Sequence, residues 1–420
     1  MKHEDILAAA FRVWGREAYR KMSLTEVAAE LGVTKPALYR HFKDKDQLLA
    51  AMHTEFFDRY AGAMKKAFPS GLAGTASSVP MILDLLGTLA GFFGARPGDL
   101  AFMFARLMRF PDVDKVFASE LSARGVQTDL QMAGSEPGRN QAQMAVGTCF
   151  FMVAFFHLDR RHRQLPHPAS HSELTALTAS ILDLAAHGLG QKPDTAVDAP
   201  ISPSPAGLAP ETPPASDYAA LEAKARLTEQ ETAAPDGLLP AVAAVVAEVG
   251  SWTASMDMVA KRSGLSKSGL YSHFKSKEDM LLRLFSVEFE RISEALARRM
   301  DGTNPPTEQL YLAMATAAEY LLARPDILVA LDWLRMQRLG VPDLLPPRLL
   351  ELFSFLGEPD SGLRLVNGSL SLTVRWILFL TIHQLMRCTG SAKGTGAIPA
   401  ERLRALHKFM LNGLMEGVKP

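Results

Sequence analysis

Four histidines that lie close together in the chain could, by residue type, bind a metal ion. They are His157, His162, His167 and His171. Pro166 and Pro168 interrupt this segment, so the four imidazoles cannot line one face of a single helix, as zinc-binding histidines often do. The sequence therefore predicts a solvated loop here and no metal site.

The other side chains that could act as nucleophiles or bases lack the partners that catalysis needs. Cys149 and Cys388 each lie in apolar or helix-like sequence, which favours two reduced, buried thiols over a disulfide. His41 and His273 have no nucleophile or paired acid at matched spacing in both halves, and the chain has no glycine-rich phosphate loop. We therefore expect neither an enzyme nor a bound cofactor.

Two short runs of cations, hydroxyl groups and aromatic rings carry side chains that could bind phosphates. Residues 38–45 return 232 positions later as residues 270–277, and both runs contain the core Tyr-x-His-Phe-x-x-Lys. Residues 33–45 hold four cations and one acid, and residues 265–277 hold three cations and no acid. Because the whole chain has zero formal net charge, these runs are local concentrations of positive charge, as phosphate binding requires.

The sequence around the first run predicts a helix, a turn and a short second helix. Ser23 and Glu26 form a capping-box pattern at the start of one helix, and Gly32 supplies the left-handed residue that ends it. Thr34 then caps a short third helix that tolerates Pro36 in its first turn. This pattern is a helix-turn-helix, in which the third helix presents its N-terminal residues to base edges in the major groove of DNA.

The second run is preceded by the same signals. Ser255 caps its second helix, Gly264 ends that helix, and Ser266 caps the recognition helix. Two positions are less favourable: Met258 replaces the capping-box glutamate, and Gly269 inside the recognition helix costs about 1 kcal/mol against alanine. Neither change argues that DNA binding is lost from this copy.

These segments resemble the helix-turn-helix signature of the TetR/AcrR family, and the resemblance covers about 45 residues in each half. It implies that the Tyr, His and Lys of the shared core contact DNA and that Phe42 and Phe274 anchor the domain core. The predicted recognition helix adds the residues near its N-terminus. The expected DNA-binding residues are Thr34, Lys35, Ala37, Tyr39, His41, Lys45, Ser266, Lys267, Gly269, Tyr271, His273 and Lys277.

Helical spacing dominates the rest of the chain: apolar residues recur every three or four positions, and strand-type alternation is nearly absent. A second matched block, Ala-Arg-Pro at 95–97 and again at 323–325, extends the duplication into both bodies. The predicted fold is all-α, with two TetR-like units that each carry a three-helix DNA-binding domain and a helical ligand-binding and dimerisation domain. The predicted domains are 1–52 and 236–285 for DNA binding, 53–190 and 286–420 for regulation, and 191–235 for a Pro/Ala-rich linker.

The segment that joins the two halves has seven prolines within residues 191–216. Proline fixes φ and removes backbone donors, so we expect an extended, semi-rigid strand there. Residues 217–232 have a helix-forming composition and either add a helix or form a partly ordered part of the linker. Such a linker could join the two units side by side as an intramolecular pseudo-dimer.

Aromatic, methionine and histidine side chains in the two bodies are candidates for the apolar ligand pocket that the family resemblance implies. For each of them the alternative is a place in the ordinary helical core, which is the more frequent role of such residues. The candidates are Phe104, Met108, Phe151, Phe155, Trp333, Trp376 and His383. Late helices near 143–158, 172–187, 369–386 and 401–415 are apolar enough to form an interface between units.

The family resemblance implies a ligand-responsive regulator of transcription, usually a repressor, that binds a double-stranded operator and a small-molecule effector. The recognition helices differ, Lys-Pro-Ala against Lys-Ser-Gly, so we expect the operator to be an imperfect palindrome. One chain would act as a monomeric pseudo-dimer or pair again into a further homodimer. The alternatives are a ligand-independent, architectural DNA-binding protein and a regulator with only one competent head.

Charge and apolar run length bear on the location of the protein. Residues 1–5 are charged and lead into amphipathic sequence, which is not the pattern of a signal peptide. No uninterrupted apolar run reaches the roughly 18 residues that a membrane span needs. We therefore expect a cytoplasmic protein without a membrane partner.

Overall fold

The computed structural model shows helices joined by turns and short loops. It describes residues 2–16, 23–71, 78–107, 113–127, 136–190, 215–300, 302–337, 345–389 and 400–415. Within these ranges there is no strand, only an isolated bridge between Gly190 and Leu363. The predicted all-α fold is confirmed.

The chain divides into two compact units. Unit 1 comprises Met1–Ala185 with Met336–Arg338, and unit 2 comprises Ala186–Arg335 with Leu339–Pro420. The helices that begin in unit 1 are α1 (His3–Arg16), α2 (Leu24–Glu30), α3 (Lys35–Tyr39), α4 (Lys45–Ala67), α5 (Val79–Gly94), α6 (Pro97–Phe102), α7 (Val113–Ala123), α8 (Glu136–His162) and α9 (His171–His187). A π-helical turn, Met103–Leu107, follows α6 directly.

Helix α1 packs its apolar face against α2, α4 and α6. Five side chains of this face are all buried: Ile6, Leu7, Ala10, Phe11 and Trp14. The approach to α6 is so close that a Cβ atom on Gly98 would lie 2.2 Å from the carbonyl oxygen of Phe11. The first helix of the predicted DNA-binding domain is therefore fixed directly to the body of unit 1.

Aromatic rings fill the core of unit 1 where α4, α5 and α7 meet. Phe56 and Phe57 of α4 lie 6.2 and 5.1 Å from Phe117 of α7, measured between ring centroids. Phe92 and Phe93 of α5 each lie 6.4 Å from Phe56. Aromatic pairs at such distances stabilise a core by about 0.5–1.5 kcal/mol beyond the burial of their area. The middle of this body is thus packed ring against ring.

Unit 2 repeats the helix order of unit 1 after two additional helices. Its helices are α10 (Ala215–Ala225), α11 (Glu229–Thr232), α12 (Leu239–Thr253), α13 (Met256–Arg262), α14 (Lys267–Tyr271), α15 (Lys277–Ala297), α16 (Pro306–Ala323), α17 (Pro325–Gln337), α18 (Pro347–Leu352), α19 (Leu370–Thr389) and α20 (Ala400–Asn412). Helices α12 to α15 follow one another as α1 to α4 do. The helix order therefore supports two tandem units.

The two additional helices belong to the folded unit, and we name residues 215–232 the strap. Tyr218 and Leu221 are buried where α10 packs on α16. The carboxylate of Glu222 accepts hydrogen bonds from the Tyr311 hydroxyl at 2.6 Å and from Arg404 at 2.8 Å. Residues 217–232, which the sequence left open between a helix and a partly ordered linker, thus contain helices with buried contacts.

The short helix α11 provides a second anchor for the strap. Both carboxylate oxygens of Glu231 accept hydrogen bonds from the guanidinium of Arg299, each at 2.9 Å. This hydrogen bonding holds the pKa of Glu231 well below its usual range. Because Arg299 lies on the segment that follows α15, the pair ties the strap to the helix that leads out of the second helix-turn-helix.

A buried histidine provides the third anchor. His407 of α20 is fully buried, and its Nε2 lies 2.8 Å from the carbonyl oxygen of Thr307. A carbonyl can only accept, so Nε2 carries the proton and Nδ1 accepts the hydrogen bond from the Tyr218 hydroxyl, also at 2.8 Å. Burial lowers the pKa of His407 to about 3, and the imidazole is therefore neutral at physiological pH.

The neutral state of His407 makes the stability of unit 2 depend on pH. In the unfolded chain this histidine takes a proton near its ordinary pKa of 6.5, whereas in the folded unit it does so only near 3. The contribution of neutral His407 to the free energy of unfolding is complete above pH 6.5. As the pH falls from 6.5 towards 3, about 1.4 kcal/mol of it is lost per pH unit. We expect His407→Gln to remove this pH dependence of the free energy of unfolding between pH 6.5 and 4.5, as measured by denaturant unfolding. A variant with the slope of the parent chain would contradict this assignment.

In unit 1, two groups with opposite effects mask such a pH dependence. Burial lowers the pKa of His157 to about 4, which destabilises the fold as the pH falls. Burial also raises the pKa of Asp99 to about 6, against the attraction of Arg59, and so favours the fold as the pH falls. Unit 2 is therefore the unit in which the slope can be measured.

The predicted solvated loop is wrong for His157 and His162, which lie in α8. His157 is buried, and its Nε2 donates a hydrogen bond to the carbonyl oxygen of Phe93 at 2.9 Å. The apolar residues before it continue the helix to His162, and only the residues beyond it form the loop. His167 does lie in that loop, and His171 begins α9.

Helix α8 also contains the segment Asn140–His162, which is long and apolar enough to cross a membrane. Just over half of its most apolar window, 56%, is buried within the chain. A core helix of a globular protein passes the same test, so this segment is weak evidence for a membrane span.

Several sequence predictions fall beyond the part of the chain that the structure describes. Met108 lies outside the described residues, as do residues 191–214, where an extended linker is expected. Helices α17 and α19 contain Trp333 and Cys388, whose side chains lie outside the described part. Cys149 is a buried free thiol, and burial raises its pKa, as expected for an unreactive core cysteine.

Candidate nucleic-acid interface

The first head consists of α1, α2, α3 and the start of α4, and its turns are set by local hydrogen bonds. The hydroxyl of Ser23 accepts from the amide of Glu26 at 3.2 Å, and the Glu26 carboxylate accepts from the amide of Ser23 at 2.6 Å. Gly32 follows the helix end with φ of +65°, a conformation that glycine adopts without strain. The predicted capping box and the predicted glycine turn are both confirmed.

Helix α3 is anchored on one side and exposed on the other. Leu38 is buried against the head, whereas Lys35 and Tyr39 are exposed. The ammonium of Lys35 lies 5.7 Å from the centroid of the Tyr39 ring. Thr34 occupies the N-cap position with an extended backbone, but its side chain makes no capping hydrogen bond, unlike the prediction. The hydroxyl of Thr34 is exposed beside the start of the recognition helix.

The start of α4 is capped by Asp44, whose carboxylate accepts from the amide of Gln47 at 2.8 Å. Gln47 accepts in turn from the amide of Lys43 at 2.6 Å, one residue before the position that a capping box would use. Lys45 is the first residue of the helix and is half-buried. The N-terminal end of a helix dipole attracts anions, and the Lys45 side chain adds a cation at this end of α4.

The second head, formed by α12, α13, α14 and the start of α15, has a serine at each cap. Ser255, Ser266 and Ser276 accept hydrogen bonds from amides three residues later, at 3.3, 3.0 and 3.1 Å. Gly264 has φ of +69°, nearly the same as its counterpart in the first head. The caps predicted at Ser255 and Ser266 and the glycine turn predicted at Gly264 are confirmed.

One aromatic side chain on each head lies in solvent. Tyr39 is 44% exposed and Tyr271 is 46% exposed, and they are the large apolar side chains that remain exposed among the described residues. They occupy equivalent positions at the end of α3 and of α14. The next aromatic residues, Phe42 and Phe274, are buried at 1% and 5% exposure, as predicted for core anchors. In each head the phenylalanine of this motif is therefore buried in the core, and the tyrosine three residues before it is exposed to solvent.

The structure brings the twelve predicted residues together as two surface clusters, six on each head. Ala37, Lys45, Gly269 and Lys277 are half-buried, and the other eight are exposed. Each cluster combines hydroxyl, ammonium, phenol and imidazole groups within two turns of helix and the residues that follow. These are hydrogen-bond donors that suit phosphate oxygens and base edges.

Sequence reasoning missed a residue that distinguishes the two clusters. The carboxylate of Asp257, in the first turn of α13, lies 3.2 Å from the ammonium of Lys267. The equivalent residue of the first head is Thr25, which is exposed. A comparison of the two copies at the 232-residue offset pairs Thr25 with Asp257 and would have revealed this difference. The charge count covered only residues 265–277, and Asp257 lies in the preceding helix.

The described candidates for ligand binding are packed into the bodies to different degrees. Phe104, Phe151 and Trp376 are buried, at 6%, 0% and 0% exposure. Phe155 is half-buried and stacks on Phe151 with ring centroids 6.0 Å apart. His383 is half-buried and stacks on Phe379. These residues contact other core side chains, and their role towards a ligand stays a prediction.

Comparisons with known proteins bear on both heads. The family model described as "Bacterial regulatory proteins, tetR family" matches residues 6–52 and 238–284. No curated protein matches the chain. A solved structure titled "Structural analysis of fatty acid degradation regulator FadR from Bacillus halodurans" is 21% identical, covering 43% of this chain and 98% of its own, with a TM-score of 0.35. The chain carries the DNA-binding domain of the tetR family of bacterial regulatory proteins twice in tandem.

Proposed function

We propose that this regulator is a repressor that reads an imperfect palindromic operator with both heads of one chain. The observation that carries the proposal is the pair Tyr39 and Tyr271, exposed at equivalent places on two recognition helices that are otherwise held by buried anchors. A tyrosine ring left in solvent gains from a partner that covers the ring and bonds its hydroxyl. Phosphates beside a major groove provide such a partner.

The two heads are similar enough to bind related half-sites and different enough to bind unequal ones. Both carry a lysine as the first residue of the recognition helix, Lys35 and Lys267. The next two residues are Pro-Ala in the first head and Ser-Gly in the second. Because the N-terminal residues of a recognition helix meet base edges, this difference supports an operator with two related but non-identical halves.

In this chain the two units would pair with each other, as two separate chains pair in ordinary two-headed regulators. Residues 53–190 and 286–420 would form the regulatory bodies, joined through residues 191–235 as a cytoplasmic pseudo-dimer. A small apolar or aromatic effector would bind a body better in the conformation that fits the operator poorly, and so release the DNA. Phe104, Met108, Phe151, Phe155, Trp333, Trp376 and His383 remain the residues proposed for effector binding.

A second candidate is a DNA-binding regulator that needs no effector. It is favoured by the aromatic core of unit 1, where Phe56, Phe57, Phe92, Phe93 and Phe117 contact one another. Addition of a panel of small aromatic and aliphatic compounds to the preformed DNA complex separates the two candidates. Release of DNA by a compound supports the repressor with an effector, and retention throughout the panel supports the second candidate.

The first experiment is a selection of genomic DNA fragments by the full chain, followed by the light-scattering mass of the complex. We expect one chain on an imperfect palindrome with two half-sites one helical turn apart. Two chains on one palindrome would overturn the pseudo-dimer. A selected site with a single half would show that only one head is competent.

Substitution of the exposed tyrosines tests each head. We expect Tyr39→Ala or Tyr271→Ala to weaken binding to the selected operator at least about tenfold, since a hydrogen bond to a charged phosphate contributes about 1.5–3 kcal/mol. The Tyr→Phe variants keep the ring and remove the hydroxyl, so they should lose the part of the affinity that the hydrogen bond contributes. Both side chains are exposed, so the melting temperature should not change. Unchanged affinity in both alanine variants would refute the assigned interface.

A further inference from the structure

The two heads differ most sharply in the partner of the first lysine of each recognition helix. In the second head the ammonium of Lys267 lies 3.2 Å from the carboxylate of Asp257. In the first head Lys35 lies over the ring of Tyr39 instead, 5.7 Å from its centroid. Thr25 stands where the second head has Asp257, so the first head has no acid at that position.

The place of Asp257 in the fold brings its carboxylate to the DNA-reading end of the second head. Asp257 lies in the first turn of α13, and Lys267 is the first residue of α14. Their contact therefore bridges the two helices of the helix-turn-helix at the N-terminus of the recognition helix. That end of the helix is the one that meets base edges in the major groove.

At the N-terminus of the recognition helix, the Asp257 carboxylate determines which DNA groups can bind favourably. A negative charge repels phosphates and the acceptor atoms O6 and N7 of guanine. It also occupies Lys267, which would otherwise be available to a phosphate. The amino group at N4 of cytosine is the major-groove donor that a carboxylate accepts from. Both side chains are more than half exposed, 55% for Asp257 and 59% for Lys267, so a base edge can reach them.

Building on the proposed operator binding, we propose that Asp257 is a specificity-determining residue of the second head. It selects a cytosine in one half-site by accepting from its amino group, and it penalises other bases at that position. It also holds Lys267 away from the DNA backbone. The second head is therefore the weaker and more selective of the two, and the first head, with Thr25, lacks this cytosine requirement.

The competing explanation is a surface ion pair without a role in recognition. Exposed pairs of this kind contribute little to stability, so the stability of the fold cannot decide between the two explanations. The sequence preference of the bound DNA does decide, because an ion pair without a role leaves it unchanged.

The test compares variants of the full chain on DNA that the parent chain selects from genomic fragments and from randomised half-sites. Asp257→Thr installs the residue of the first head, and Thr25→Asp makes the reciprocal change. Glu319→Thr is the matched control, because it removes one acid from the exposed surface of α16, a helix that belongs to neither head. Binding is measured by fluorescence anisotropy at several salt concentrations, and base preference by sequencing the selected DNA.

We expect Asp257→Thr to lose the cytosine preference at one position of one half-site. Its affinity for duplexes with another base at that position should rise about tenfold, and the slope of log K against log salt should steepen by about one as Lys267 reaches a phosphate. Thr25→Asp should add a cytosine preference to the other half-site, and Glu319→Thr should change neither property.

Two results would overturn the inference while leaving the operator binding intact. One is an Asp257→Thr chain that selects the same sequence as the parent with the same affinities. The other is an equal change in Glu319→Thr, which would reduce the effect to total charge. A parent chain that selects no DNA would instead remove the proposed function itself, and the two failures are therefore distinguishable.

Discussion

Replacement of Gly98 by alanine is expected to destabilise unit 1 by about 3 kcal/mol, because the added methyl group has no room. A Cβ atom at this position would lie 2.2 Å from the carbonyl oxygen of Phe11 and 2.7 Å from its carbonyl carbon. Both are backbone atoms of α1, so no side-chain rotation relieves the clash. Gly15 makes the same close approach from α1, with its Cβ position 2.9 Å from the amide nitrogen of Gly98.

Gly87→Ala is the matched control for this prediction. A Cβ on Gly87 meets nothing within 4 Å, and this glycine lies inside α5. Alanine there should stabilise the unit by about 0.5–1 kcal/mol through helix propensity. Denaturant unfolding followed by circular dichroism measures both variants. If Gly98→Ala unfolds at the same denaturant concentration as Gly87→Ala, the two helices do not approach as closely as described.

Removal of the guanidinium of Arg324 is expected to cost unit 2 about 3–5 kcal/mol, because it leaves a buried carboxylate without its cation. Glu288 is fully buried and accepts from the hydroxyl of Tyr320 at 2.5 Å and from Arg324 at 3.4 Å. Burial and the adjacent carboxylate raise the pKa of Tyr320, so this hydroxyl remains a donor. With Arg324→Ala, the tyrosine alone has to compensate the charge of Glu288.

A double-mutant cycle with Glu288→Gln separates this charge effect from lost packing. The amide has nearly the shape of the carboxylate but no charge, so Arg324→Ala should cost far less in the Glu288→Gln background. Unfolding free energies of the four chains in denaturant give the coupling. An equal cost of Arg324→Ala in both backgrounds would show that the arginine acts through its aliphatic stem or its hydrogen bonds to Asp326, and not through Glu288.

The same positions in unit 1 show how far the two cores have diverged. By the repeat offsets, Phe56 stands where unit 2 has Glu288, and Phe92 stands where it has Tyr320. The rings of Phe56 and Phe92 contact each other in unit 1, whereas their counterparts form a hydrogen bond between a carboxylate and a phenol. One unit therefore fills this place with apolar area and the other with a charge network.

Signals that act within a few residues could be predicted from the sequence. The capping box at Ser23, the glycine turns at Gly32 and Gly264, and the buried Phe42 and Phe274 follow from residues that interact with near neighbours in the chain. Such caps and turns satisfy backbone groups locally, so residue type and spacing are sufficient to find them.

Contacts between distant segments could not be predicted in this way. His157 bonds the carbonyl of a residue 64 positions away, and the partners Tyr218 and His407 are separated by 189 positions. Composition gives residues 217–232 a helical tendency, but only the fold shows which side chains they cover. The Asp257 carboxylate joins the second cluster through the packing of two helices, which a count along the chain does not register.

The two copies of a tandem duplication can be separated into two genes only if each copy still folds after the chain is divided between them. The strap alters that condition for this chain. Tyr218, Glu222 and Glu231 all precede residue 238, where the family match to the second copy begins. Division at that border would remove the hydroxyl that bonds His407 and the carboxylate that binds Arg404. The strap is therefore part of the folded second copy, and the two copies are not interchangeable.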